Sequence, residues 1–116
     1  MSDLSKRAIA CKGFRWMPGM LSLPPQADRC QRDGQMMVGR LPDLTDPATL
    51  GCLLALVREA WGDEHLHIGR RIAGWGVWTS ASTPMPQCVG KGDTEAEALV
   101  AALEAAEGRE VSDENK

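Results

Sequence analysis

The sequence predicts an α+β fold, an antiparallel sheet packed with two main helices and a short N-terminal helix. Three observations carry this. Residues 46–62 read as one helix with a start, a stop and almost no polar face. Residues 65–79 alternate as two strands about Ala73-Gly74. Residues 94–107 open on a Thr-x-x-Glu box and continue as an Ala-Leu helix. Helices set against an antiparallel sheet make the α+β class.

The first helix covers residues 3–11. Ser2 can cap it, Leu4, Ala8 and Cys11 share a face, and Gly13 follows as a stop. So short a helix is marginal alone and must dock. Two short strands about Pro18-Gly19 fit residues 13–23, and Pro24-Pro25 then breaks regular structure. Asp33-Gly34 between extended segments signals a hairpin, with Met36 to Leu41 as the strand leaving it. Pro42 and Pro47 bracket the loop that feeds the central helix.

In that central helix Asp46 is the N-cap and Pro47 takes the first helical position, where a missing N–H costs nothing. Leu50, Leu53, Leu54, Val57 and Trp61 form its apolar stripe, and Cys52 and Leu56 widen it. Each stripe side chain stabilises by about 1.5–3 kcal/mol when buried, as an upper bound. Arg58 and Glu59 seek water, and Gly62 ends the helix. A helix apolar nearly all round must be covered on more than one side.

After it, residues 65–72 alternate as a strand. Trp75 to Thr79 form its partner, with Trp75 and Val77 on one face and Trp78 on the other. Residues 80–86 make a polar loop, and Gln87 to Gly90 a last strand. In the final helix Thr94 and Glu97 form a capping box. Ala96, Leu99, Val100 and Leu103 line one face, Glu95, Glu104 and Glu107 face solvent, and Gly108 stops it. The element order is α-β-β-β-β-α-β-β-β-α, without an internal repeat.

The 116 residues suit one domain over 1–108, with 109–116 a charged, disordered tail. Apolar content of 43% is enough for a core without staples. A net charge of −3 argues against direct nucleic-acid binding, though an acidic chain can meet a basic protein surface. No apolar run reaches the roughly 18 residues a bilayer crossing needs. The first seven residues lack a signal peptide's apolar core, so a cytoplasmic location is expected. Cys11, Cys30, Cys52 and Cys88 show no C-x-x-C spacing, and all four are expected as thiols.

Phe14-Arg15-Trp16-Met17-Pro18-Gly19-Met20, the helix from Asp46 to Trp61, and Gly74-Trp75-Gly76-Val77-Trp78 followed by Gly92 to Leu99 carry a resemblance. Together they resemble small proteins of tailed bacteriophages and prophages, of the phage ABA-sandwich type, in which a sheet lies between helices. The resemblance implies a phage or prophage accessory protein acting in the host cytoplasm. Such proteins bind host machinery, anti-CRISPR and other anti-defence proteins among them. The family has no catalytic residues to carry over, so neither an enzyme nor a cofactor is expected.

Four candidate sites follow from the residues. Arg70, Arg71, Trp75 and Trp78 mix guanidinium and indole on one hairpin, as binding hot spots do; a core tryptophan beside solvated arginines is the plainer account. Glu95, Glu97 and Glu104, with Glu107, make the last helix an acidic surface able to compete with nucleic acid for a basic channel. His65 and His67, two apart on a strand, could share a metal only with a third ligand, so no metal site is assigned. Residues 90–94 precede a helix and could accept an anion, although no P-loop pattern is present. The expected function is therefore a non-catalytic protein that binds and inhibits a host protein complex. The alternatives are a small-ligand, nucleotide-like binder and an oligomeric structural phage protein.

Overall fold

The computed structural model describes residues 2–23, 28–35, 37, 40–72, 74–79 and 88–114. Its elements are α1 (Ser2–Ala10), α2 (Pro47–Trp61), β1 (His67–Arg71), β2 (Gly74–Trp78), β3 (Cys88–Gly92) and α3 (Glu95–Glu114). The strands form one antiparallel sheet in the order β1-β2-β3, packed against helices, and the class is α+β.

α3 lies directly on the sheet, closest to β3. A Cβ added at Gly90 would run into the Ala98 carbonyl and stand 2.6 Å from the Ala102 nitrogen. One added at Gly92 would meet Glu97 Cβ. Strand and helix backbones thus approach through glycines on one side and alanines on the other, with no layer of large side chains between them. α3 also packs on α2, where the Trp61 indole N–H donates to the Ala102 carbonyl at 2.9 Å. The main core holds Leu53 and Val57 from α2, Val77 from β2, and Leu99, Val100 and Leu103 from α3.

α2 begins and ends as its sequence dictates. Asp46 is extended and accepts the Thr49 N–H at 3.0 Å; Gly62 closes the helix in the left-handed region at φ 64. The N-cap is also a junction. The buried Thr49 hydroxyl donates to Asp46 at 3.0 Å and accepts the Leu21 N–H at 2.9 Å. Arg29 donates to Asp46 at 3.2 Å and to the Gly19 carbonyl at 2.6 Å. Burial pushes the Asp46 carboxyl upward, but the bonds from Arg29 and Thr49 outweigh it and hold the group below its ordinary value.

The described residues between 13 and 45 form an irregular segment that covers the second side of α2. Trp16, Met20, Cys30 and Leu56 make a separate buried cluster, with Phe14, Met17, Met37 and Cys52 packed around it. None of the four cysteines is joined in a disulfide. Both turns expected from sequence are present. The Met20 N–H donates to the Met17 carbonyl across Pro18-Gly19, with Gly19 at φ 100. The Gln35 N–H donates to Arg32 across Asp33-Gly34, with Gly34 at φ 74.

The flanks of those turns differ from expectation. Instead of strands, residues 20–23 pair through isolated bridges, Leu21 with Arg29 and Ser22 with Pro42. Pro42 cannot donate to a ladder, and Pro24 and Pro25 interrupt the segment in sequence. Met36, Val38 and Gly39 of the expected strand 36–41 lie outside the described residues, as do 80–87. β1 starts at His67, so His65 falls in the preceding turn, where its N–H donates to Asp63 at 3.1 Å. β3 extends to Gly92, so Gly90-Lys91-Gly92 is strand rather than loop. α3 runs through Gly108 to Glu114. One glycine costs about 1 kcal/mol in a helix, and good helix formers on both sides absorb it.

Candidate functional site

Register sorts the hairpin residues. Ile68 pairs with Val77 and Arg70 with Trp75, and these positions continue across β3 to Gly90 and Gly92, against α3. His67 pairs with Trp78 on the opposite face, and Trp78 pairs with Cys88 after a register shift that leaves Val89 without a partner position on β2. Trp75 and Val77 therefore share a face and Trp78 takes the other, as the alternation predicts. Arg71 occupies the position opposite Gly74. The four positions are divided between the two faces of the β1–β2 hairpin, a tongue that β3 flanks along β2, rather than forming one patch.

Trp75, one pair from the turn, is half-buried and packs against the main core, which holds the turn end of the hairpin in place. Arg70 beside it is exposed. Beyond both, at the turn, Ile72 is 109% exposed, as open as in an extended peptide. Its position after two arginines in an alternating run made it look like one more strand residue. Only the three-dimensional turn shows that nothing described covers it. Lys91, exposed and opposite Gly76, adds a further cation to the sheet.

The acidic candidates are differently employed. Glu97 accepts the Asp93 N–H at 2.9 Å while its own N–H donates to Thr94 at 3.2 Å, completing the expected capping box. Its carboxylate thus holds the helix start where residues 90–94 could have met an outside anion. Glu104 accepts two bonds from Arg7 of α1, at 2.7 and 3.1 Å. Those bonds hold the Glu104 carboxyl below its ordinary value and Arg7 above its own. Glu95 is half-buried. Two residues from Glu97, it lies about 200° around the helix, so the three do not form one face.

A second feature was not visible in the sequence. A groove of about 640 Å³ opens between α1 and the irregular segment, with Phe14 and Trp16 in its wall. Its residues come from four separated stretches of chain, a juxtaposition that no linear spacing encodes. Among the described residues no three His, Cys, Asp or Glu side chains converge as a metal would require, and no helix is long and apolar enough to cross a membrane. Comparison with protein-family models, with curated proteins and with solved structures finds no match to this chain.

Proposed function

We propose that this chain is a non-catalytic accessory protein, of the phage or prophage kind its sequence resembles, that binds and inhibits a host protein complex through the β1–β2 tongue. The observation that carries this reading is Ile72, fully exposed beyond Arg70 on a tongue whose Trp75 is rooted in the core. A rigidly based apolar knob beside a guanidinium has the make-up of an interface anchor. It fits an apolar socket with an acidic rim. The role of inhibitor rests on the phage resemblance.

Affinity capture with the tagged protein from host lysate, with and without nuclease, tests the reading. The expected result is a stoichiometric, nuclease-resistant partner retained by the native chain and lost from Ile72→Asp and Arg70→Glu. Both variants alter exposed side chains and should keep the native circular dichroism. A partner held equally by both would sink the tongue assignment. The same knob fits a second copy of the chain, so a dimer that Ile72→Asp dissolves would favour the oligomeric reading.

A further inference from the structure

We infer that the groove between α1 and the irregular segment is a binding site for a small organic anion, a carboxylate or phosphate carried on a flat apolar body. Its volume of about 640 Å³ suits one such molecule. The apolar part of the lining is Ile9, Phe14, Trp16, Met37 and Leu41. Phe14 and Trp16 meet edge to face, centroids 5.9 Å apart, so the aromatic wall is stiff. Met37 brings a polarizable thioether suited to contact with a ring.

The charged part of the lining is Lys6, Arg15 and Arg40, and no carboxylate stands among the described lining residues. The two guanidiniums are held from outside the groove. Arg15 bonds Asp33 at 2.7 Å through Nε and Glu59 at 2.8 Å through Nη1, and Arg40 bonds Asp28 through Nη1. Each guanidinium has five N–H donors, so both keep donors for a ligand while their planes are already set. Those carboxylates also offset part of the arginine charge. Lys6, exposed, has no ion pair among the described residues and supplies the uncompensated cation. Gln35 adds a donor: its side-chain oxygen is spent on the Gln31 and Arg32 N–H groups, while among the described residues its amide nitrogen meets the weak Met37 sulfur at 3.6 Å and no stronger acceptor. An anionic group at this rim gains charge-assisted bonds, and its apolar body is left against the ring wall.

Calorimetric titration with naphthalene-2-carboxylate and 2-naphthyl phosphate is the test, beside naphthalene-2-carboxamide and acetate as controls. Both aromatic anions should saturate one site below about 1 mM, with the amide and acetate at least about tenfold weaker. The tighter of the two anions identifies the headgroup. Lys6→Glu should weaken binding by about tenfold or more, Lys6→Arg should keep it, and Ile72→Asp should leave it unchanged. Lys6 is exposed, so these variants do not threaten the fold. No saturation by either anion up to about 5 mM, equal binding of the amide, or indifference to Lys6→Glu would each overturn the assignment.

Discussion

The two sides of α2 are built differently. Toward α3 and the sheet, periodic elements meet: Leu53 and Val57 face a core of Leu99, Val100, Leu103 and Val77, and α3 reaches β3 through glycine against alanine. Toward the irregular segment, few residues repeat with any period. There the chain is held by single bonds that span long separations, such as Ser5 to the Pro42 carbonyl at 2.8 Å and Leu21 to Thr49 at 2.9 Å, over a small cluster of sulfur and aromatic side chains. One side derives its order from repeated backbone geometry, the other from particular side chains in particular places. The periodic side should fail as a whole, and the irregular side locally.

Gly90→Val attacks the periodic side where the α3 backbone lies against the strand. Its side chain has to displace the backbone of α3, and a loss of about 3 kcal/mol or more in urea unfolding is expected. A loss under about 1 kcal/mol would mean that helix and strand separate freely. Leu56→Ala empties the second cluster and should cost about 2–4 kcal/mol. Hydrogen exchange separates the two cases, because Leu56→Ala should speed exchange in residues 13–45 before β1–β3. Uniform acceleration would show that the two sides are one cooperative unit.

Asp46→Ala removes the junction at the N-cap and should cost about 1–2 kcal/mol. Acid resolves this further. Asp46 and Glu104 are both held below their ordinary values, so the native state binds fewer protons than the unfolded chain in the acid range. Their contribution is whole at neutral pH and is lost as pH falls through the native-state values, below about pH 4. A variant carrying Asp46→Asn and Glu104→Gln should therefore lose less stability between pH 6 and pH 3, read as urea midpoints. Parallel curves would remove both groups from the acid response. Smallest is the Arg7–Glu104 pair, whose side chains are 52% and 39% exposed. A double-mutant cycle there should give under about 1 kcal/mol, and less in salt.

The same contrast decides what could be read from the chain. α2 was legible to the residue, because Asp46, Pro47 and Gly62 each have a single mechanical reason to be where they are. The Thr94–Glu97 box and both tight turns were legible for the same kind of reason. The flanks of those turns were not, since whether residues 20–23 form a ladder depends on partners 6 to 22 positions away and on the prolines among them. Gly108 misled because a weak local preference yields to its neighbours. Of the sites, the hairpin was legible as arginines and tryptophans, but Ile72 was not, because exposure belongs to the turn and not to the residue. The groove was unreadable for a stronger reason. Lys6, Arg15 and Arg40 become neighbours only after α1 has docked.

The short path from β3 to α3 bears on the order of folding. Only Asp93 and Thr94 separate the two elements, yet their backbones approach so closely that a Cβ has no room at Gly90 or Gly92. A contact closed across so few residues orders little loop, and the same holds for the β1–β2 hairpin, whose strands are also two residues apart. The β3–α3 corner is thus a natural early contact together with that hairpin, and the segment that ties Leu21 to Thr49 and Ser5 to Pro42 settles later. Substitutions at Ala98 or Ala102 should slow folding, whereas Leu56→Ala should mainly hasten unfolding. The groove and its cations would then be the last part of the molecule to exist and the first to be lost.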